Sequence, residues 1–281
     1  MGAIRRVAYF GPAGTNTEVA ALRLYDGAEM LPLPTIPAVA DAVERGECDA
    51  GVVPIENSLQ GTVTDTVDEL IHRATLAVRA EVVLPIQHCL MAAPGISRGE
   101  IEVIYSHPQS LGQCRRYLQA NFPKARTEAA LSNAEAVAIA VKTPKAAAIG
   151  PARAAEIYGA EILERNIEDS RVNKTRFLAL ALEEAEPTGD DKTSIAFAVA
   201  HDRPGTLVGV LHEFSDRGIN MTKIESRPSG EELGVYIFLV DIEGHREDLM
   251  VAQALAAVRE QAAFFRIFGS YPAWRDEKAA K

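Results

Sequence analysis

The period of apolar and polar positions changes repeatedly along the chain, and each change marks an element. Arg6 to Phe10 is a short apolar run of strand character. It leads into Gly11-Pro12-Ala13-Gly14 and then Thr15-Asn16-Thr17-Glu18, which has capping-box spacing ahead of an apolar helix. Pro37 starts a helical stretch that stops before Gly46, Ala50 to Ile55 reads as a buried strand, and a helix follows from about Thr64 to Arg73. Leu76 to Met91 is extended, with alternation in Val78, Ala80, Val82 and Leu84. Ile101 to Tyr105 is a strand with a helix behind it. Asn133 can cap the helix Ala134 to Lys142, Ala146 to Ile149 is a small-residue strand, and Pro151 suits the first position of the next helix. Arg176 to Leu182 is again strand. Strands alternating with helices at this spacing predict a parallel or mixed α/β sheet covered on both faces.

The pattern breaks at Glu183 to Lys192, an acidic stretch with Pro and Gly and no periodicity, which reads as a linker between domains. A second unit follows. Thr193 to Ala200 is a strand, and Asp202 to Gly205 turns into a helix from Thr206 to Asp216. Ile219 to Glu225 and Gly234 to Ile242 are strands around a turn at Arg227 to Gly230. Arg246 to Glu260 is an amphipathic helix and Phe264 to Gly269 a closing strand. The order βαββαβ is the ferredoxin-like split unit. An open sheet edge in so small a domain invites pairing with a second copy.

Open α/β sheets hold ligands at the carboxyl ends of their strands. Three strand ends here release polar groups, at Gly11, at Glu56-Asn57-Ser58 and at Ser106-His107-Pro108-Gln109, and together they predict a cleft. A fourth cluster, Asn173-Lys174-Thr175-Arg176-Phe177, opens the last strand of the first unit. Alternation sends Asn173 and Thr175 to one face and Arg176 to the other. Asn173 and Thr175 offer hydrogen bonds to an acidic small molecule, while Arg176 either grips a carboxylate or locks the strand. The plainer alternative is an ordinary polar strand start. Other residues also keep two readings: Glu56 works in the site or accepts backbone N–H groups at the strand end. His107 serves as an acid or as a helix cap, Gln109 touches ligand or ties loop to helix, and Cys114 is reactive or packs the core.

Bulk composition narrows the partners. With 281 residues the chain has room for two ordinary domains, and its formal charge of −10 disfavours nucleic acid or an anionic membrane as a general partner. An acidic substrate remains open to a local helix N-terminus or guanidinium in a cleft. Cys48, Cys89 and Cys114 lie far apart without metal spacing, as expected of free thiols in a reducing compartment. The apolar run after Arg5-Arg6 is too short for a signal peptide, and no segment has the apolar length to span a bilayer. A cytoplasmic location is the expectation.

Taken in order, these residues resemble one family, the monofunctional prephenate dehydratases, a catalytic domain followed by an ACT regulatory domain. The resemblance rests on Gly11 to Thr15, Gly51 to Ser58 with Gly61, Ser106 to Gln109 with Gln113-Cys114, and Asn173 to Phe177. It continues through Leu207 to Phe214 and Ile219 to Pro228, and so spans almost the whole chain. It implies decarboxylating dehydration of prephenate to phenylpyruvate in phenylalanine biosynthesis, with no cofactor or metal. It also implies a catalytic domain over 1–185 of two α/β lobes, similar to type-II periplasmic binding proteins, with the site between them. A linker at 186–192, an ACT domain at 193–275 and a tail at 276–281 complete the layout.

Prephenate carries two carboxylates and a ring hydroxyl that must leave as the ring carboxylate departs as carbon dioxide. Aromatisation drives the reaction, so orientation and a proton donor matter more than a nucleophile. Thr175 matches the family's essential threonine and is assigned the hydrogen bond to the departing hydroxyl. The catalytic set implied is Thr175, Arg176, Glu56 and Asn57, with Thr15, Ser58, Gly61, Ser106, Gln109, Asn173 and Phe177 around the substrate. In the ACT domain, Gly205-Thr206-Leu207, Asn220 and Glu225-Ser226-Arg227-Pro228 match the motifs that bind L-phenylalanine across a subunit interface, in a homodimer or homotetramer. Glu225 would take the ammonium group or hold Arg227. Closeness of the last strand to the linker suggests that motion of the regulatory domain can misplace Thr175.

Two departures from the family pattern stand out. Asn16-Thr17 replaces an aromatic residue and a serine, and Thr206 replaces the usual alanine. Arogenate dehydratase, the same chemistry on the amino-acid analogue, and a non-catalytic sensor of small acids are the competing readings.

Overall fold

The first stretch of chain builds most of one lobe. Its elements are β1 (Arg6–Phe10), α1 (Asn16–Leu24), β2 (Glu29–Leu33), α2 (Ile36–Glu44), β3 (Ala50–Asn57), the two-residue β4 (Gly61–Thr62), α3 (Thr64–His72) and β5 (Ala77–Pro85). The computed structural model describes residues 4–73, 75–199, 203–230 and 235–275. The expected strand end at Ala200, turn residue Asp202, strand start at Gly234 and tail 276–281 lie outside these.

The extended run from Leu76 to Met91 divides between two lobes at Ile86–His88. Beyond it the second lobe folds from β6 (Cys89–Ala92), β7 (Val103–Ser106), α4 (Pro108–Gln113), α5 (Arg115–Asn121), β8 (Arg126–Ala129), α6 (Asn133–Ala140), β9 (Ala146–Gly150), α7 (Ala152–Tyr158) and β10 (Glu161–Arg165). Its sheet has the order β10-β6-β9-β7-β8. The chain then returns as β11 (Lys174–Ala181), which inserts antiparallel between β3 and β5, giving the first lobe the order β2-β1-β3-β11-β5. Two crossings therefore join the lobes, and they are tied to each other: Ile86 N–H donates to the Asn173 carbonyl and Ile167 N–H to the His88 carbonyl. This is a mixed α/β, two-lobed domain similar to type-II periplasmic binding proteins.

The C-terminal unit comprises β12 (Asp191–Val199), α8 (Thr206–Ser215), β13 (Met221–Pro228), β14 (Tyr236–Glu243), α9 (Leu249–Gln261) and β15 (Ala262–Pro272), in the sheet order β13-β14-β12-β15. The predicted βαββαβ order is thus observed. Strand β12 starts at Asp191, two residues before the expected domain edge, because the Asp191 carboxylate accepts from the N–H groups of Thr188 and Gly189 and fixes the turn into it. The turn expected at Arg227 begins later, since β13 runs on through Pro228.

Period-two alternation gives this sheet two different faces. Ile195, Phe197, Val240 and Ile242 pack under α8 and α9 with Val210, Phe214 and Leu255. Ala196, Ala198, Ile237, Leu239, Phe268 and Tyr271 pack instead against Val67, Leu70, Val78, Leu178 and Leu180 of the first lobe. The C-terminal sheet is therefore a third layer on the first lobe. Gly269 marks how close the layers run: a Cβ there would lie 2.3 Å from the Val78 carbonyl oxygen.

Candidate active site

A cleft of about 330 Å³ opens between the lobes. Strand β11 supplies its floor. Thr175 and Phe177 line it together with Asn173, Asn57 from β3, Thr15 from the cap of α1, and Gln109 and Gln113 from α4. Thr175 lies opposite Asn57 in the antiparallel ladder, so two polar side chains from different strands meet on one face.

These side chains form a continuous run of hydrogen bonds whose polarity can be read. Asn57 Nδ2 donates to Thr175 Oγ1 at 2.9 Å and to Asn173 Oδ1 at 2.8 Å. Asn173 Nδ2 donates to Gln113 Oε1 at 3.0 Å, and His88 Nε2 meets the same oxygen at 2.7 Å. Gln113 Oε1 can only accept, so His88 carries its proton on Nε2. At the other end Thr175 Oγ1 accepts from Asn57, which leaves the Thr175 hydroxyl proton to point into the cleft as a donor. Donation into Oγ1 also polarises that O–H and makes it a better donor. His88 is buried, and burial depresses its pKa against the opposing hydrogen bond to Gln113, which keeps the ring neutral.

Among the described residues lining the cleft there is no Lys, Arg, Asp or Glu. Helix N-termini border it instead. The residues that cap α1, α4, α6 and α7 at their N-termini, Thr15, His107, Ser132 and Pro151, all line it. A helix start leaves several backbone N–H groups without partners inside the helix. The caps Thr15, His107 and Ser132 each meet one of them, while Glu18 and Glu135 stand in the first turns of α1 and α6.

Several expected site residues lie elsewhere. Arg176 faces the C-terminal domain, as alternation requires. Its guanidinium bonds Glu81 through Nε at 2.5 Å, Asp241 through Nη1, and Tyr271 through Nη2 at 2.7 Å. Of its two readings, locking the strand is the one the geometry allows. Burial works against its charge, but Tyr271, Asp241 and Glu81 outweigh that and hold its pKa above the ordinary value. Glu56 also turns away: it pairs with Arg176 in the ladder and its carboxylate lies 3.0 Å from Lys223 Nζ of the C-terminal domain. Ser58 ties down the chain before β11, donating to the Val172 carbonyl and accepting from Lys174 N–H. Gly61 sits opposite Asn57 in β4 with φ +79°, a turn conformation that favours glycine, and does not line the cleft. Ser106 is buried behind the wall, where its hydroxyl reaches the Ile149 carbonyl at 2.8 Å and Asn133 Oδ1 at 3.0 Å.

The same Asn133 oxygen accepts from His107 N–H, so Asn133 braces the wall, and the cap of α6 is Ser132, which accepts from Glu135 N–H. His107 caps α4 through Nδ1. Cys114 is fully buried, and burial pushes its thiol pKa far above the ordinary value. Thr15 caps α1, but the Glu18 carboxylate departs from the capping box: it bonds Gly14 N–H and reaches across to Arg153 of the second lobe at 2.8 Å. The two positions that depart from the family pattern, Asn16 and Thr17, line the cleft at that same corner.

His88 and Gln113 are the residues that sequence reasoning left without a role. The signal for His88 is a polar pair, Gln87-His88, set between the apolar Ile86 and Cys89.

In the C-terminal domain, Gly205 takes φ +90° at the N-cap of α8, and the Thr206 hydroxyl donates back to the Arg203 carbonyl. Leu207 packs beside the helix core, and the Asn220 carbonyl accepts from Glu243 N–H. Glu225 does not hold Arg227. It bonds Thr62 Oγ1 and lies 3.3 Å from Lys223, while Arg227 pairs with Asp68 of α3 at 2.5 Å. Alternation along β13 places Lys223, Glu225 and Arg227 all on the face toward the first lobe, with Ser226 and Pro228 exposed on the other.

The prephenate dehydratase family profile matches residues 7–185, well over half of the chain, and the ACT domain profile matches residues 193–260. The chain belongs to the prephenate dehydratase family. A prephenate dehydratase from Amycolatopsis methanolica is 42% identical over 271 residues, covering 95% of this chain and 88% of that protein. Among solved structures, a prephenate dehydratase from Arthrobacter aurescens in complex with L-Phe superposes with a TM-score of 0.87 at 34% identity, over 95% of this chain and 90% of that one. A quorum-quenching acylase superposes equally well, with a TM-score of 0.87 at 30% identity over 96% and 98% of the two chains.

Proposed function

We propose that the cleft converts prephenate to phenylpyruvate, with Thr175 as hydrogen-bond donor to the departing ring hydroxyl and Asn57 as the group that orients it. The observation that carries this reading is the polarity of the amide chain, which leaves the Thr175 O–H as the free donor. As the ring carboxylate leaves as carbon dioxide, the electrons of its C–C bond aromatise the ring and expel the hydroxyl. That oxygen leaves as water, with one proton consumed.

That no Lys or Arg lines the cleft among the described residues suits this chemistry. The ring carboxylate loses its charge on the way to carbon dioxide, so a tight ion pair would stabilise the ground state more than the transition state and slow the step. Helix N-termini and hydroxyls hold the dianion with weaker, spread-out charge. With Glu56 turned to Lys223, no carboxylate among the described lining residues stands in the cleft to repel the substrate.

L-Phenylalanine is the proposed effector, bound at Gly205–Leu207 and Glu225–Pro228 between two copies of the ACT domain, in a cytoplasmic homo-oligomer. Support comes from the αL turn at Gly205, which opens α8, and from the relative crystallised with L-Phe. Phenylpyruvate formation from prephenate, with and without phenylalanine, tests the reading directly. Preference for arogenate would replace the substrate. Quorum-quenching acylase activity with no turnover of either acid would replace the reaction.

A further inference from the structure

Two adjacent cross-strand pairs of β3 and β11 face opposite ways. Thr175 and Asn57 look into the cleft, while Arg176 and Glu56, one residue away on each strand, look at the C-terminal domain. Both outward members are held there by a side chain of that domain. Asp241 on β14 takes Arg176 Nη1, and Lys223 on β13 takes Glu56 at 3.0 Å. Both anchors are themselves fixed: Asp241 accepts from Ser194 Oγ at 2.5 Å, and Lys223 is 3.3 Å from both Thr62 Oγ1 and the Glu225 carboxylate. In the ladder Lys223 pairs with Asp241, so the two anchors stand side by side just as Thr175 and Asn57 do on the other sheet.

We propose that Asp241 and Lys223 are positioning residues for the reaction, holding Thr175 and Asn57 in register from behind. The inference rests on the reading that Thr175 and Asn57 act in the cleft. The warrant is mechanical. A strand residue cannot rotate or slide without its neighbour, because successive side chains share one pleated backbone. The local ladder also needs outside support, since the register of β11 on β3 shifts between Arg176 and Phe177. Lys223 lies two residues from Glu225, so displacement of β13 at the proposed effector motif reaches Glu56 through a single side chain. Misplacing a donor by a fraction of an ångström reduces turnover without removing the groups that bind substrate.

The test uses the full chain with Asp241→Asn and Lys223→Met, each of which keeps side-chain size, and Asp68→Asn as the comparison. Asp68 pairs with Arg227 across the same interface but stands on α3, outside both strands. Expected for the first two variants are a fall in kcat of about tenfold, KM for prephenate within about twofold of wild type, and a weakened response to phenylalanine. Lys223→Arg should restore most of the kcat, and Asp68→Asn should leave it within about twofold. Wild-type kcat in both Asp241→Asn and Lys223→Met overturns the inference. So does an equal loss in Asp68→Asn, which would make the effect a general loosening of the interface. Absence of prephenate turnover in the wild-type chain would instead overturn the functional reading itself.

Discussion

Along β11, Thr175, Phe177 and Ala179 face the cleft and the α1 side, whereas Arg176, Leu178 and Leu180 face the ACT domain. The two faces treat charge in opposite ways. The cleft face has amides, hydroxyls and helix ends and no lining Arg, Lys, Asp or Glu among the described residues. The other face buries Arg176, Glu81, Lys192 and Asp241 together, with Glu81 contacting both Arg176 and Lys192 Nζ. A charge whose partner is fixed in the protein can be buried and used as an anchor. A charge aimed at a carboxylate that must disappear would act against the reaction. The division of labour along one strand follows from that difference.

The sharpest way to break the comparison is Thr175→Val, which keeps shape and removes the hydroxyl. The expected loss is about 10²- to 10⁴-fold in kcat, the range for a positioned proton donor. Stability should fall by only about 1 kcal/mol, because Asn57 Nδ2 keeps Asn173 Oδ1 as a partner. Steady-state kinetics and urea unfolding read the two quantities, and near-normal turnover would remove Thr175 from the chemistry.

Arg176→Met probes the other face, with effects in the opposite proportion. Breaking a buried charge network from one side costs about 3–5 kcal/mol, and here Lys192 still neutralises Glu81, which favours the lower end. Turnover should fall about tenfold through misplaced Thr175, with KM for prephenate nearly unchanged. A KM raised a hundredfold at wild-type stability would return Arg176 to the substrate.

How much of this was legible beforehand follows the same physics. Period-two alternation separates Thr175 from Arg176, but a guanidinium at a strand start fits a substrate carboxylate as well as a buried acid, so the sequence alone leaves both readings of Arg176 open. What alternation could not supply was the partner: Glu81, Asp241 and Tyr271 lie far away in sequence and meet Arg176 only because the ACT sheet lies on this lobe. The buried strands β1, β3, β7 and β9 announced themselves as apolar runs. Strands β2, β8 and β10 did not, because each is a sheet edge with mostly exposed or half-exposed residues. Ser106 and Ser58 resemble ligand groups in sequence, because a strand-end hydroxyl looks alike whether it meets substrate or backbone.

The smallest effect concerns the far end of the hydrogen-bond run, and it distinguishes a neutral anchor from a titrating catalyst. His88 Nε2 donates to Gln113, its backbone N–H bonds the Glu168 carboxylate, and burial lowers the ring pKa below the ordinary histidine value near 6.5. With the folded-state value depressed, the unfolded chain binds the extra proton first. The stability due to neutral His88 is therefore complete above about pH 6.5 and is lost as pH falls below it. His88→Gln retains an N–H donor for Gln113 but cannot titrate. It should turn over prephenate within about tenfold of wild type while losing less stability than wild type between about pH 7 and pH 5. Thermal melts of both proteins across that range measure the difference. Parallel stability curves would mean that His88 is not the neutral anchor of the chain that aims Thr175.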